Sequence, residues 1–304
     1  MGPKQPTEIE SKGIHKGRIL HLQRLSTEDG PGIRTTIFFK GCPLHCAWCH
    51  NPESISALPQ ITWNETKCIG DKACIAICPN DALKFTQQGI SIDRGKCTGC
   101  GICAEECPTN AMEQLGKLVS VEELTYELIK DRSYYEHSEG GVTASGGEPT
   151  LQLPFLIELF RSLQKQSIHT ALDTCGFCSA QTLMDILPHT DLILYDLKLF
   201  DTEKHKIYTG QTNERILENL LFVKREFLRS SRPHKLWIRT PLIPGTTDTM
   251  ENLVSIGKFI SENLADVIDR WELCTFNNLC RDKYRRLDRS EEHTSELQSR
   301  FGIS

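Results

Sequence analysis

The sequence predicts an α/β protein in which a parallel sheet with helical crossovers carries an inserted cysteine-rich module. Short apolar runs alternate with helical patterns along most of the 304 residues, which is typical of repeated β-α units. Ten of the fourteen cysteines fall in three tight groups, and two of these groups lie in residues 60–116. Residues 1–59 are therefore predicted to begin the sheet domain, 60–116 to form the insert, 117–288 to complete the sheet domain, and 289–304 to form a separate tail.

The first predicted strand covers residues 34–40 (RTTIFFK), where β-branched and aromatic side chains lead directly to Cys42. Short apolar runs bounded by turn residues predict further buried parallel strands at 142–145, 168–172, 192–195, 236–238 and 271–274. Helical patterns fill the intervals at 121–131, 154–166, 179–187, 213–228 and 249–264, and Ser120 with Glu123 forms a capping box before the first of them. About six β-α units suit a partial (β/α)6 barrel of the TIM type, whose functional residues cluster at the C-terminal ends of the strands.

Composition excludes several classes of function. The net charge is −5 and the pI about 6.1, so no basic surface indicates a nucleic acid or an anionic membrane as partner. The first residues lack the apolar stretch of a signal peptide, and no later run is long enough to span a membrane. A cytoplasmic location is expected, where thiols stay reduced, so the cysteines favour metal binding over disulfides.

Cys42, Cys46 and Cys49 form a C-x-x-x-C-x-x-C loop within GCPLHCAWCHNPE. Iron–sulfur clusters are usually held by four cysteine thiolates, so three thiolates leave one iron of a [4Fe–4S] cluster open to a further ligand. A zinc site is the alternative, but structural zinc prefers four closed ligands in paired knuckles. His45 and His50 are interpreted as loop residues rather than ligands.

With this loop, the sequence resembles the radical S-adenosylmethionine enzymes over residues from about 19 to 287. The segments WCHNPE and STEDGPGIRTT narrow the resemblance to the activating enzymes of glycyl radical enzymes. It implies reductive cleavage of S-adenosylmethionine to a 5′-deoxyadenosyl radical, which abstracts hydrogen from a backbone glycine of a partner glycyl radical enzyme. It also implies a flavodoxin or ferredoxin as electron donor, a monomeric protein, and contact of Asp29 with the glycine loop, although DGPG alone is also a turn signal.

The resemblance also implies a cosubstrate site at the strand ends. Gly146 and Gly147 allow a close backbone approach because they lack Cβ, and Glu148 offers an acceptor for an ammonium group. Trp48 is implied to pack near the adenine. The positions implied to hold the cosubstrate and a monovalent cation are Asp173, Thr174, Asp196 and Lys198, with Arg239 and Asn277 facing the same ligand. For any single buried aspartate the alternative is a structural hydrogen bond.

The insert reads as a bacterial-ferredoxin-like α+β module with an internal repeat. Residues 97–107 follow the pattern C-x-x-C-x-x-C-x-x-x-C-P, and residues 68–79 repeat it with Asp71 in place of a cysteine. In two-cluster ferredoxins the last cysteine of each run ligates the other cluster. One predicted site therefore comprises Cys97, Cys100, Cys103 and Cys78, and the other Cys68, Cys74 and Cys107 with Asp71, solvent or nothing at the fourth corner.

The second site can hold a labile [4Fe–4S] or a [3Fe–4S] cluster, because a carboxylate is a harder donor than a thiolate. Electron relay to the barrel cluster is the favoured function of the insert, and a structural docking module is the alternative. Cys175 and Cys178 form a C-x-x-C that is interpreted as packing, and Cys274 and Cys280 carry no functional argument. Residues 289–299 (RSEEHTSELQS) match a translated sequencing-adapter oligonucleotide, so the tail is expected to carry no function; a genuine amphipathic tail is the alternative.

Two other functions compete with an activating enzyme. A radical S-adenosylmethionine enzyme acting on a small molecule would not need the segments around Asp29 and His50. A non-enzymatic ferredoxin-type electron carrier would not need an open three-cysteine loop or the Gly-Gly-Glu segment. Release of 5′-deoxyadenosine after reduction separates the carrier from both enzymes.

Overall fold

A computed structural model describes residues 16–230, 232–277 and 279–289 of the chain. Almost all of the predicted foreign tail, residues 290–304, lies outside these ranges, so that prediction is not addressed by the structure. The strands are β1 (Lys16–Ser26), β2 (Arg34–Phe39), β3 (Gln60–Trp63), β4 (Leu83–Thr86), β5 (Gly89–Ile92), β6 (Met112–Leu115), β7 (Lys117–Ser120), β8 (Gly141–Gly146), β9 (His169–Thr174), β10 (Leu192–Asp196), β11 (Lys235–Leu242) and β12 (Arg270–Thr275). The helices are α1 (Ala73–Ala76), α2 (Ile102–Glu105), α3 (Val121–Ile129), α4 (Arg132–Ser138), α5 (Leu153–Lys165), α6 (Ala180–Ile186), α7 (Thr202–Thr209), α8 (Glu214–Arg229), α9 (Met250–Asn263) and α10 (Arg281–Arg286).

One eight-stranded sheet, in the order β12-β11-β10-β9-β8-β2-β1-β7, forms the main body. The six strands from β12 to β2 in this order are parallel, and they are the six strands that the apolar runs predicted. Helical crossovers join them, so the fold is the predicted α/β architecture of a partial TIM-like barrel. Because all six strands run the same way, their carboxyl ends share one edge of the sheet.

Two antiparallel strands extend the sheet beyond β2, and the sequence analysis did not predict them. β1 pairs with β2 and β7 pairs with β1, both antiparallel. β1 mixes charged and apolar residues because much of it is exposed, and β7 has only four residues. Neither therefore carries the continuous apolar run of a strand that is buried on both faces.

Helices cover the parallel strands and bury two apolar cores. Near β2, β8 and β9, α5 packs Leu156, Leu159, Phe160 and Leu163 on the sheet. Farther along the same face, α6, α8 and α9 pack on β10 and β11. Each fully buried side chain of this size stabilises the fold by about 1.5–3 kcal/mol. The predicted capping box of α3 is confirmed, because the Ser120 and Glu123 side chains each accept a backbone N–H from the other residue.

The cysteine-rich insert is a small α+β module with a repeated construction. β3 pairs with β6 and β4 pairs with β5, both antiparallel. The short helices α1 and α2 each follow a left-handed residue, Lys72 and Gly101, and each buries one cysteine, Cys74 and Cys103. Ile61, Leu83, Ile90 and Met112 complete its core.

None of the helices in the described ranges combines the length and the apolar character that a membrane crossing requires.

Candidate active site

A cavity of about 280 Å³ opens at the carboxyl ends of the parallel strands. Ten of the residues predicted for the cluster and cosubstrate site line it, namely Cys42, Cys46, Trp48, Cys49, Gly146, Gly147, Asp173, Asp196, Lys198 and Arg239. They come from the loop after β2, from the ends of β8, β9 and β10, and from β11. Residues far apart in the sequence meet here because parallel strands end at one edge of the sheet.

Backbone hydrogen bonds fix the three-cysteine loop on both flanks. Cys42 N donates to Ile55 O at 3.1 Å, and Cys49 N donates to Cys46 O at 3.0 Å. Within the loop, His45 N donates to Thr209 O at 2.8 Å and Ala47 N donates to Tyr208 O at 2.9 Å, so the end of α7 holds the middle of the loop. Sequence reasoning did not predict this support, because backbone hydrogen bonds leave no side-chain pattern.

Burial keeps the three loop thiols protonated in the absence of metal. It raises the pKa of Cys49 to about 12 and the pKa values of Cys42 and Cys46 above the ordinary value, and neighbouring thiols add to the shifts of Cys42 and Cys49. Only thiolates ligate iron well, so cluster assembly must release protons here.

Gly146 and Gly147 bring β8 and its following turn against the strand that leads to the cysteine loop. Gly146 has φ +107°, and a Cβ there would lie 2.4 Å from Phe39 N. A Cβ at Gly147 would lie 2.1 Å from Gly41 O. The close approach therefore lets Gly147 N donate to Phe39 O at 2.9 Å, while both glycines also line the cavity.

Glu148 differs from its predicted role as an acceptor for an ammonium group. Its side chain is fully buried and does not line the cavity. Oε1 accepts from Thr150 N at 3.1 Å, Thr150 Oγ1 at 2.7 Å and Thr174 Oγ1 at 2.8 Å, while Oε2 accepts from Cys175 N at 2.8 Å. Thr174 likewise points behind the cavity rather than into it. The two side chains thus tie the end of β9 to the turn after β8.

Replacing Glu148 by Ala is expected to lower the free energy of unfolding by about 3 kcal/mol or more, because several buried donors lose their acceptor and each unsatisfied group costs about 1–3 kcal/mol. Denaturant unfolding measures the change. Glu158→Ala is the matched control, since that half-exposed carboxylate pairs with Arg161 at 2.8 Å, and surface changes of this kind usually stay within about 0.5 kcal/mol. Equal midpoints for the two variants would contradict a structural role for Glu148.

Asp173 is the buried carboxylate that faces the cavity. Ser145 Oγ donates to Oδ2 at 2.5 Å, whereas Oδ1 is buried without a hydrogen-bond partner in the described structure and lies 3.4 Å from Arg239 Nη1. Burial raises the pKa of Asp173 to about 6; Arg239 opposes this shift and Asp196 adds to it. Asp173 thus places a carboxylate oxygen that has no hydrogen-bond partner in the described residues at the wall of the cavity, which Glu148 does not line.

Two cations balance the carboxylates that line the cavity. Lys198 Nζ pairs with Asp196 Oδ2. Burial alone would lower the pKa of Lys198, but its ion pair with Asp196 raises it above its ordinary value. Arg239 Nη1 lies 3.4 Å from Asp173 Oδ1 and 3.9 Å from Asp29 Oδ1. Arg239 Nε lies 3.6 Å from Glu272 Oε2 and has no hydrogen-bond partner in the described residues. Arg239 therefore places one guanidinium among three carboxylates at the wall of the cavity.

Asp29 lies next to the cavity without lining it. Its Oδ2 accepts from Ser26 Oγ at 2.7 Å and Thr36 Oγ1 at 2.6 Å, and Oδ1 faces Arg239. Thr143 Oγ1 donates to its backbone carbonyl at 2.7 Å. Asp29 is thus held rigidly, and one guanidinium links it to Asp173.

Asn277 is placed differently from its prediction. Its side-chain oxygen accepts from Leu279 N at 3.2 Å, its carbonyl contacts His50 Nε2 at 2.5 Å, and it does not line the cavity. Phe276 and Thr275 line the cavity instead. The amide is occupied within its own loop, which explains the difference.

Other residues of the cavity wall were not predicted. Cys175 and Cys274 both line it, whereas Cys178 and Cys280 do not. Trp48 packs with Leu199 and Ile243 in a small apolar cluster. Pro241 and Ile243, which follow Arg239 in IRTPLIPG, were detectable as a continuation of the same strand end.

The insert thiols gather in the two sets that the crossed ferredoxin pattern predicts. Cys78, Cys97, Cys100 and Cys103 line one small cavity. Burial raises the pKa of Cys103 to about 12, with a further contribution from these thiols. Burial also raises the pKa of Cys74, with contributions from Cys107, Cys68 and Asp71. All fourteen cysteines lie in described parts of the chain, and none forms a disulfide.

The last cysteine of each run has the same local hydrogen bond. Cys78 Sγ accepts from Ala82 N at 3.4 Å and Cys107 Sγ from Ala111 N at 3.2 Å. For Cys107 burial raises the pKa, but hydrogen bonds from Met112 N, Thr109 and Ala111 N lower it below the ordinary value. Asp71 is exposed and uses Oδ1 to accept from Ala73 N at 3.3 Å, which leaves Oδ2 for another ligand. Within the described ranges, no three His, Cys, Asp or Glu side chains are grouped to hold a single metal ion.

Comparison with known proteins agrees with this geometry. Residues 94–255 match the Radical SAM superfamily and residues 67–111 the 4Fe-4S dicluster domain. The chain is 41% identical to (2S)-3-sulfopropanediol dehydratase activating enzyme of Klebsiella oxytoca, over 89% of this chain and 85% of that protein. It is 40% identical to trans-4-hydroxy-L-proline dehydratase activating enzyme of Clostridioides difficile, over 94% and 96%. The chain belongs to the radical S-adenosylmethionine superfamily and, within it, to the activating enzymes of glycyl radical enzymes.

Proposed function

We propose that this protein binds a [4Fe–4S] cluster through Cys42, Cys46 and Cys49, holds S-adenosylmethionine at its open iron, and installs a radical on a backbone glycine of a partner glycyl radical enzyme. The observation that carries the proposal is the meeting of these three thiols in one cavity with the carboxylate of Asp173, whose Oδ1 has no hydrogen-bond partner in the described residues. When bound together, the reduced cluster and S-adenosylmethionine supply the radical that removes the glycine hydrogen atom.

The residues present fit these two groups. Three partly buried thiols and no fourth cysteine in the loop suit a cluster with one open iron. The cavity offers Asp173 to an ammonium group, Lys198 and Arg239 to a carboxylate, and the Trp48 face to an aromatic ring. Charge-assisted hydrogen bonds of this kind are about twice as strong as neutral ones.

The chain's own residues then do three things. Asp173, Lys198 and Arg239 fix the amino-acid end of the cosubstrate, and orientation of this kind supplies much of the rate in an enclosed site. The apolar cluster of Trp48, Leu199 and Ile243 keeps water away from one wall. Asp29 lies on the Arg239 side, where we place the entering glycine loop of the partner.

Reduction of the anaerobically reconstituted protein in the presence of S-adenosylmethionine tests the proposal. Release of 5′-deoxyadenosine identifies an enzyme, and an EPR doublet that appears on an added glycyl radical enzyme identifies the substrate. A protein that transfers electrons without releasing 5′-deoxyadenosine would instead be a ferredoxin-type carrier. A protein that releases it but yields no glycyl signal with any such partner would favour a small-molecule substrate.

Cosubstrate affinity is expected to rise with pH through about 6, because the pKa of Asp173 is raised to about 6 and only the ionised carboxylate pairs with an ammonium group. Below that pH the protonated Asp173 offers no negative charge. Calorimetric titration with S-adenosylmethionine at a series of pH values measures the step. Asp173→Asn should bind more weakly and lose the step, and an unchanged pH profile in that variant would assign the titration to another group.

We further propose that residues 60–116 form a separate electron-relay module of two clusters between residues 1–59 and 117–288. Cys97, Cys100, Cys103 and Cys78 hold one cluster, and Cys68, Cys74 and Cys107 hold the other with Asp71 at its fourth corner. We also propose a flavodoxin or ferredoxin as electron donor, a bound monovalent cation near Asp173 and Asp196, a monomeric state and a cytoplasmic location.

The reconstituted protein is expected to contain ~12 iron atoms, or ~11 if the Asp71 site holds a three-iron cluster. Asp71→Cys should give a stable four-iron cluster at that site, because a thiolate replaces a harder oxygen donor. Iron analysis together with Mössbauer spectra measures both quantities. Asp81→Cys is the matched control, since it adds a thiol elsewhere in the insert. A wild-type count near four would contradict the two-cluster insert.

A further inference from the structure

Helix α10 lies between the three-cysteine loop and the insert, and the function derived so far does not use it. It spans only Arg281–Arg286 and begins after Cys280. One group of its side chains contacts the segment Cys49–Glu53, and another group contacts the insert. A single short helix therefore touches both proposed redox modules.

Two consecutive residues of α10 hold the end of the three-cysteine loop. Tyr284 Oη donates to the carbonyl of Cys49 at 2.9 Å. Lys283 Nζ donates to His50 O at 3.1 Å and to Asn51 Oδ1 at 2.8 Å, and it pairs with Glu53 Oε1 at 2.7 Å. The Tyr284 phenol thus fixes the backbone of Cys49, the last of the three proposed ligands. The Lys283 ammonium fixes the residues that follow Cys49.

The opposite contacts join α10 to the insert. Arg286 Nη2 donates to Thr62 Oγ1 at 3.0 Å on β3 and to Glu113 Oε2 at 2.8 Å on β6. Arg94, which follows β5, donates to Arg286 O at 2.9 Å and pairs with Asp288 at 3.0 Å. Arg286 of α10 and Arg94 of the insert thus connect the insert to the helix that contacts Cys49.

The position of Lys283 has an electrostatic consequence. A reduced cluster carries one more negative charge than the oxidised cluster, so a fixed cation beside it favours reduction. Glu53 is only 7% exposed, and Lys283 neutralises its carboxylate. Without Lys283, a buried negative charge would remain close to the cysteine loop and would oppose reduction.

We propose that α10 tunes the barrel cluster, with Lys283 and Tyr284 as positioning residues that raise its reduction potential and fix the backbone of Cys49, while Arg286 ties this arrangement to the insert. The inference rests on the proposed function, since it requires a cluster on Cys42, Cys46 and Cys49. Hydrogen bonds and charges around ligands commonly tune metal centres in this way.

An EPR-monitored redox titration with and without S-adenosylmethionine tests the proposal in the complete protein. The signal that changes with S-adenosylmethionine marks the barrel cluster, and the signals that do not change mark the insert clusters. Lys283→Met should shift the midpoint of the barrel cluster to a more negative potential, Tyr284→Phe should shift it less and alter its g-values, and both should leave the insert midpoints unchanged.

Arg285→Met is the matched control, because Arg285 lies on the same helix but is exposed and, among the described residues, its side chain pairs with Asp282 on that helix. Lys283→Arg should retain the wild-type midpoint, which separates loss of charge from loss of fold. Barrel-cluster midpoints in Lys283→Met and Tyr284→Phe equal to that of Arg285→Met would overturn the inference. A wild-type protein with no signal that responds to S-adenosylmethionine would instead overturn the proposed function.

Discussion

Replacing Cys42, Cys46 or Cys49 by Ala is expected to abolish cleavage of S-adenosylmethionine while the insert clusters remain bound. In our assignment these three thiolates hold the cluster that has an open iron. Each change removes one of them, and the remaining two thiolates cannot hold a [4Fe–4S] cluster stably. If the variant loses the full rate enhancement of a typical enzyme, the rate of S-adenosylmethionine cleavage falls by about 10⁶-fold or more. Release of 5′-deoxyadenosine and the iron content of each variant measure the two effects.

Cys178→Ala is the control for these variants. Cys178 is a partly buried thiol near the end of β9, but it does not line the cavity, so its loss should leave cleavage close to the wild-type rate. Iron content should fall by about four atoms in the three loop variants and stay constant in the control. Cleavage that persists in all three loop variants would show that the open iron lies elsewhere.

The central parallel strands were predictable because they are buried on both faces, whereas β12 at the sheet edge has no fully buried residue. Runs such as residues 192–195 are uniformly apolar, since helices cover one side of β10 and the barrel interior the other. β1 gave no such signal because its exposed positions admit charged residues, and β7 is too short to show a period. Edge strands of this kind depend on their neighbours, which a local pattern does not contain.

The sequence predicted which strand ends meet at the site. It did not predict which side chains at those strand ends face the cavity. Asp173 and Glu148 both follow strands and both carry carboxylates, yet Asp173 reaches the cavity and Glu148 accepts four protein hydrogen bonds behind it. The backbone donors that attract Glu148, such as Cys175 N, become available only when β8 and β9 lie side by side. The same holds for Thr209 and Tyr208, whose carbonyls support the cysteine loop.

The arrangement of Arg239 suggests how the two substrates are linked. The guanidinium lies near Asp173 on the cosubstrate side and near Asp29 on the other, at distances of 3.4 Å and 3.9 Å that leave each pair short of a hydrogen bond. Arg239 Nη2 also donates to Glu28 O at 3.1 Å. A ligand that engages Asp173 therefore changes the electrostatic surroundings of Asp29, where we place the glycine loop.

Asp29→Ala is expected to preserve cleavage of S-adenosylmethionine in the absence of partner but to reduce radical transfer to the partner glycine by about 100-fold, since a misplacement of about 1 Å can cost that much in rate. Asp29 does not line the cosubstrate cavity, so its loss leaves Asp173 and Lys198 in place. The ratio of glycyl radical, measured by EPR, to 5′-deoxyadenosine released gives the coupling directly. Glu28→Ala is the matched control, because the neighbouring side chain is exposed and only its backbone carbonyl contacts Arg239. If the ratio is the same in the two variants, Asp29 serves only the turn that Ser26 and Thr36 hold together.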